Sequence, residues 1–182
     1  MMYSEKELKL VYPTKEYEEQ VMRYREVFLK GNESFDGCAG LEDVESYSEW
    51  IDFDNRLSKK YGESYVPSSV FLGVKEVDNK VVGIIDIRHS LSDFLYNFGG
   101  HIGYSVLPEE RRKGYAKEML RLALLECKNI GIKRALLTCD KENIASSKTI
   151  KANGGMLENE VKDEVGLSES GIIERYWINI EN

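Results

Sequence analysis

The stretch His101-Ile102-Gly103-Tyr104-Ser105-Val106-Leu107-Pro108-Glu109-Glu110-Arg111-Arg112-Lys113-Gly114-Tyr115-Ala116 restricts the fold of this chain more than any other. Residues 101–106 read as a strand and Pro108 marks a turn. Residues 112–130 place Ala116, Met119, Leu120, Ala123 and Cys127 on one helical face. Gly131 supplies the stop. Residues 134–139 are a short apolar run, of the kind buried on both faces of a sheet. Strand, helix and strand in that order predict parallel pairing through a right-handed crossover over 101–139. The same order builds an anion site, because the first amides of a helix lack intrahelical partners and the helix dipole is positive there. Arg111, Arg112 and Lys113 stand at that point, although cations are unfavourable beside a helix N-terminus. A phosphate arriving there would resolve the conflict; the bland alternative is a solvated basic helix start.

The chain has 182 residues, which predicts one domain, 1–182, with one sizeable core. A net charge of -7 argues against nucleic acid as a partner, since phosphate neutralisation needs a basic surface. No apolar run approaches the ~20 residues of a membrane helix, and the N-terminus lacks a signal-peptide core. No membrane association and a cytoplasmic location are therefore expected. Cys38, Cys127 and Cys139 are odd in number and show no CxxC spacing, so neither a disulfide framework nor a zinc cluster follows. Cys127 and Cys139 read as core residues. His89 and His101 lie at strand ends without ligand spacing, and no metal is expected.

Elsewhere, residues 8–12 read as a strand ending at Pro13, and Thr14 as the cap of a helix over 15–30. Residues 32–45 read as a loop. A second helix is expected over 46–61, with Trp50, Phe53 and Leu57 on one face and Gly62 at its end. Strands at 69–77 and 80–89 meet at the hairpin turn Asp78-Asn79. Residues 90–100 form a loop, a further helix runs from about 140–143 to 152, and strands follow at 156–165 and 172–180. The fold class is α/β (α+β): a mixed, mostly antiparallel sheet flanked by helices.

Arg111-Arg112-Lys113-Gly114-Tyr115-Ala116 matches [Arg/Gln]-x-x-Gly-x-[Gly/Ala], and Val106 and Pro108 precede it as is typical. Asn143, Ser146 and Gly154 match a second motif farther on. On these residues the sequence resembles the GNAT (N-acetyltransferase) superfamily, and the order of elements agrees over nearly the whole chain. The resemblance implies acetyl-CoA as co-substrate, its pyrophosphate resting on the amides of Arg112, Lys113, Gly114, Tyr115 and Ala116, with Arg111 part of the motif. It also implies that strand 101–106 is splayed from its neighbour to admit the pantetheine arm. The Val106 amide would then face the thioester oxygen, unless it only pairs within the sheet. Asn143 would contact the cofactor arm, or would simply cap its helix.

Two departures bear on the chemistry. Ile150 replaces the tyrosine that serves many relatives as the acid for the leaving thiolate, and Gly155 replaces a phenylalanine. Ser146 is the expected substitute donor; the alternative is a helix serine bonded to its own backbone. The base that deprotonates the amine is sought in His89 or His101, with the buried-strand Asp86 and its neighbour Arg88 or His89 as a pair. The expected activity is N-acetyl transfer by direct attack of a small-molecule or peptide amine. The alternatives are an acyl-CoA sensor with weak catalysis and a transferase of longer acyl groups. A monomer or a homodimer is expected.

Overall fold

The computed structural model describes residues 8–55, 59–61 and 64–180. A first strand, β1 (Leu8–Val11), leads to a 3-10 turn and then α1 (Glu18–Gly31). Val21, Tyr24 and Phe28 recur at helical spacing on its buried face. Thr14 stands in extended conformation before the 3-10 turn and makes no side-chain cap, so the helix starts later than its periodicity predicts. The second helix, α2 (Tyr47–Asn55), starts where Ser46 Oγ accepts the Glu49 amide at 3.2 Å. It is shorter than the expected 46–61. Lys59–Tyr61 is instead strand β2, paired antiparallel with β3 (Ser64–Val66). The side chain of Phe53, together with Leu57 and Gly62, lies outside the described residues.

Strands β4 (Ser68–Lys75), β5 (Val81–Arg88) and β6 (Ile102–Val106) complete a four-stranded antiparallel sheet in the order β1-β4-β5-β6. Helix α3 (Tyr115–Asn129) packs one face of it through Met119, Leu120, Ala123 and Cys127. Gly73 and Gly83 admit α3 closely: a Cβ on either would lie 2.8 or 2.7 Å from Met119 Sδ. The other face carries α1 and α2, with Tyr24, Phe28 and Trp50 in the core. The second sheet contains β7 (Arg134–Asp140), β8 (Met156–Lys162) and β9 (Ile172–Asn179) in the order β7-β9-β8. Helix α4 (Ile144–Ala152) connects β7 to β8.

Among the described residues every ladder is antiparallel. The two strands of the strand–helix–strand unit, β6 and β7, belong to different sheets and meet where His101 N–H donates to Leu136 O at 2.7 Å. The segment before β6, expected to be a loop, contains one π-helical turn, Leu95–Gly99. Arg175 holds that turn by bonds of 3.2 and 2.8 Å to Tyr96 O, and Thr138 Oγ1 donates to Phe98 O at 2.8 Å. Cys38, Cys127 and Cys139 are buried, and none of them forms a disulfide among the described residues. Among the described residues no helix is long and apolar enough to cross a membrane.

Candidate active site

β6 and β7 lie in different sheets that meet at His101 and Leu136, and the register of β6 decides which of its main-chain groups face the cleft between them. Leu107 N–H bonds Val82 O at one end, and Arg88 N–H bonds His101 O at the other. In an antiparallel ladder such pairs alternate with residues whose main-chain groups point the other way. Odd-numbered residues of β6 therefore serve β5, while Tyr104 and Val106 turn their N–H and C=O toward the cleft. One side-chain contact agrees: Arg111 Nε donates to Val106 O at 3.1 Å. That arginine also grips Glu33, with Nη2 to Oε2 at 2.7 Å. On the facing strand, Leu136 and Thr138 have the same orientation, since Lys141 N–H continues the β7–β9 pairing by bonding Ile172 O.

His101 closes the narrow end. Beyond its main-chain bond, its Nδ1 accepts the Leu136 amide at 3.0 Å. The ring is buried, and burial followed by the nearby Arg88 guanidinium pushes its pKa down to about 4. It is thus a neutral imidazole that joins the two sheets. His89 is half-buried at the end of β5, its Nε2 2.8 Å from Ser69 Oγ, and burial lowers its pKa despite the field of Asp86. Asp86 is fully buried and ion-paired with Arg88 at 3.3 Å.

At the wide end the chain enters α3. Arg112 and Gly114 both have left-handed φ, +62° and +87°. Such turns curl successive amides toward one point, the geometry of an anion-binding nest. Gly114 is the N-cap residue and no side chain caps the helix. A Cβ placed on Gly114 would meet nothing within 4 Å. The main chain there is therefore open to close approach from outside. The three cations separate in role. Arg111 is tied to Glu33 and Val106, and Lys113 bonds Glu110 Oε2 at 2.9 Å. Glu110 is buried and also meets Lys80 at 2.5 Å; the two lysines outweigh its burial and hold its carboxyl below the usual range. Arg112 is exposed, and among the described residues it forms no ion pair.

Across the cleft, Asn143 Oδ1 accepts the Ser146 amide at 3.0 Å and so caps α4. Ser146 is half-buried, and its Oγ lies 3.0 Å from the hydroxyl of Tyr104. Sequence reasoning passed over Tyr104, which only marks an alternating strand. Its partner is 42 residues away, and no local pattern reports it. Among the described residues no three His, Cys, Asp or Glu side chains are grouped to hold a metal ion.

The family model for the acetyltransferase (GNAT) family matches residues 32–154, more than half of the chain, from the loop after α1 through α4. The chain belongs to the GNAT acetyltransferase family. Solved structures agree in fold. The microcin C7 self-immunity acetyltransferase MccE, in complex with acetyl-CoA and AMP, is 20% identical with a TM-score of 0.62, over 96% of this chain and 93% of that one. An acetyltransferase from Salmonella typhimurium that modifies the N-terminal serine of the 50S ribosomal subunit protein L7/L12 is 16% identical, with a TM-score of 0.66 over 96% of each chain. A GNAT-family acetyltransferase from Bacillus anthracis is 20% identical with a TM-score of 0.61, over 97% and 96%. No curated protein sequence matches the chain significantly. In this GNAT chain positions 150 and 155 are in close contact. Ile150 is fully buried, and a Cβ on Gly155 would lie 2.4 Å from Ile150 Cγ2 and 2.8 Å from Ile150 O. Position 150 is thus given to packing.

Proposed function

We propose that the protein transfers an acetyl group from acetyl-CoA to an amine nitrogen by direct attack. The observation that carries this reading is a pair of neighbouring features: the edge of β6 that is not paired to β5, where the Val106 amide turns toward the cleft, and the start of α3, which has no side-chain cap and has open space at Gly114. The amides of Lys113, Gly114, Tyr115 and Ala116 suit a pyrophosphate, and Arg112 supplies a cation beside them. A hydrogen bond to a charged group is worth ~1.5–3 kcal/mol, so a few amides suffice to hold such a group. Arg111 and Lys113 act indirectly: the first fixes Val106 O and Glu33, the second the Glu110 carboxylate.

The Val106 N–H would stabilise the charge that develops on the thioester oxygen as the amine adds. Asn143 orders the first turn of α4 and thereby sets Ser146 over the cleft, where its hydroxyl can meet the departing sulfur. Of the two histidines, we assign the base to His89, which is half-exposed beside Ser69 Oγ and whose pKa is lowered by burial. His101 is occupied in joining the sheets. An acceptor amine suits the acidic loop after α1, where Asp36 lies within electrostatic reach of the Tyr104 hydroxyl.

Thermal stability measured with coenzyme A, followed by thiol release from acetyl-CoA over polyamines, aminoglycosides, amino acids and peptides bearing an N-terminal serine, tests the proposal. The expected result is stabilisation by coenzyme A and thiol release with at least one amine. Release only from longer acyl-CoA donors would replace acetyl by that group. Stabilisation without release on any amine would favour an acyl-CoA sensor, and no stabilisation at all would overturn both.

A further inference from the structure

We propose that Tyr104 is a positioning residue of the transfer reaction: its hydroxyl donates to Ser146 Oγ, so that the serine proton is directed at the sulfur leaving the acetyl group. This rests on the function proposed above and extends it to a residue outside both family motifs.

The geometry is a bridge across the cleft. Tyr104 OH lies 3.0 Å from Ser146 Oγ and 3.5 Å from Ser146 O, which ties the middle of β6 to the first turn of α4. Tyr104 precedes Val106 by two residues, so both face the same side of the strand and both turn their main-chain groups into the cleft. A serine hydroxyl has one proton and two lone pairs. When the phenol occupies a lone pair, the serine proton can point to Cys139, its other hydrogen-bonding neighbour, or to a sulfur bound in the cleft. Position 150 cannot provide a hydroxyl here, because Ile150 is packed in the core; the hydroxyl is delivered from β6 instead.

The phenol is a donor and not a proton source. Burial is the main cause that pushes its pKa up to about 12, well above the ~8.5 of an ordinary thiol. It keeps its proton throughout. Cys139 on β7 and Asp36 in the loop after α1 lie within electrostatic reach of the Tyr104 hydroxyl, and Glu174 on β9, Asp140 on β7 and Lys151 on α4 act in turn on Cys139. Burial likewise pushes the Cys139 thiol up to about 12, so it stays protonated. In the step itself the neutral amine forms the N–C bond and the C–S bond breaks. Sulfur takes the electron pair as thiolate, and the proton lost from nitrogen passes to the base and on to water. Two hydroxyls in series then steady the thiolate.

The test uses bound coenzyme A and the ultraviolet absorbance of its thiolate, with ligand-free protein as blank. In wild type the bound thiol should titrate below free coenzyme A. Tyr104→Phe and Ser146→Ala should each raise its pKa, and the double variant should raise it no further than Ser146→Ala alone. Fluorotyrosine at 104, a stronger donor of nearly the same size, should lower it, which keeps the test open if Tyr104→Phe fails to fold. With an acceptor amine, Tyr104→Phe should lower kcat about tenfold with KM for acetyl-CoA changed less than about twofold. It should have no effect in the Ser146→Ala background. A thiol pKa unmoved by both Tyr104→Phe and fluorotyrosine, or additive effects of Tyr104→Phe and Ser146→Ala, would overturn the role of Tyr104 while leaving acetyl transfer standing. No binding of coenzyme A would overturn the proposed function and this inference with it.

Discussion

At Gly114 the backbone sits at φ +87° with open space where a side chain would be. A Cβ there costs about 1–2 kcal/mol through the left-handed conformation alone, with no clash in the protein itself. Gly131, just past the end of α3, has φ +85° and equally open space. The pair separates strain from ligand approach. Gly114→Ala and Gly131→Ala should each lower Tm by about 2–4 °C per kcal/mol. Only Gly114→Ala should also weaken coenzyme A binding, because its methyl enters the amide cradle. Equal affinities in a titration of both variants would remove Gly114 from the cofactor surface. The residue types around this glycine were readable from sequence, since a short motif carries them. Their division of labour was not: Glu33 and Glu110, which hold Arg111 and Lys113, lie in other segments or look like ordinary surface acids.

At the scale of elements, local periodicity located most helices and strands but misjudged where tertiary contacts decide. The run from Ser46 kept a helical pattern beyond Asn55, where the chain turns to strand pairing between β2 and β3. The π-turn Leu95–Gly99 has no sequence signal because Arg175 and Thr138, from the second sheet, hold its carbonyls. The seam between the sheets is likewise tertiary, and it rests on His101. With the ring at about 4 in the folded chain and ~6.5 when unfolded, the unfolded state binds more protons between those values. This contribution is therefore complete above pH ~6.5 and is lost as pH falls toward ~4. The difference corresponds to about 3 kcal/mol at most. His101→Phe should be less stable at pH 7 by about 1–3 kcal/mol, since the Leu136 amide loses its acceptor. Its stability should fall less than that of wild type between pH 6.5 and 4. Urea midpoints of both proteins across that range check the sign; parallel curves would show that the imidazole does not carry the acid response.

For the whole molecule, the expected central sheet is divided into two larger sheets meeting at one end, beside the separate β2–β3 pair, with one core cluster under both through α3 and α4. Sequence could supply the order of strands but not their divergence, since splay is decided by what His101, Gly100 and the π-turn allow between β6 and β7. Gly100 shows how tight that end is: a Cβ there would lie 2.6 Å from Leu136 O. Farther along β6 the register turns the main-chain groups of Tyr104 and Val106 toward the cleft, while those of Gly103 and Ser105 are satisfied within the first sheet. Amide hydrogen exchange on the whole protein can read this alternation. Coenzyme A at about one hundred times its Kd should stabilise the fold by about 2.7 kcal/mol, slowing exchange that requires global unfolding everywhere. Superimposed on that, Val106 and the amides at the start of α3 should gain additional protection from direct contact. Gly103 and Ser105, already bonded to β5, should gain only the global part. Equal protection of odd and even residues would mean that the ligand tightens the protein without lying along β6, and the cleft would then be a seam between sheets rather than the cofactor channel.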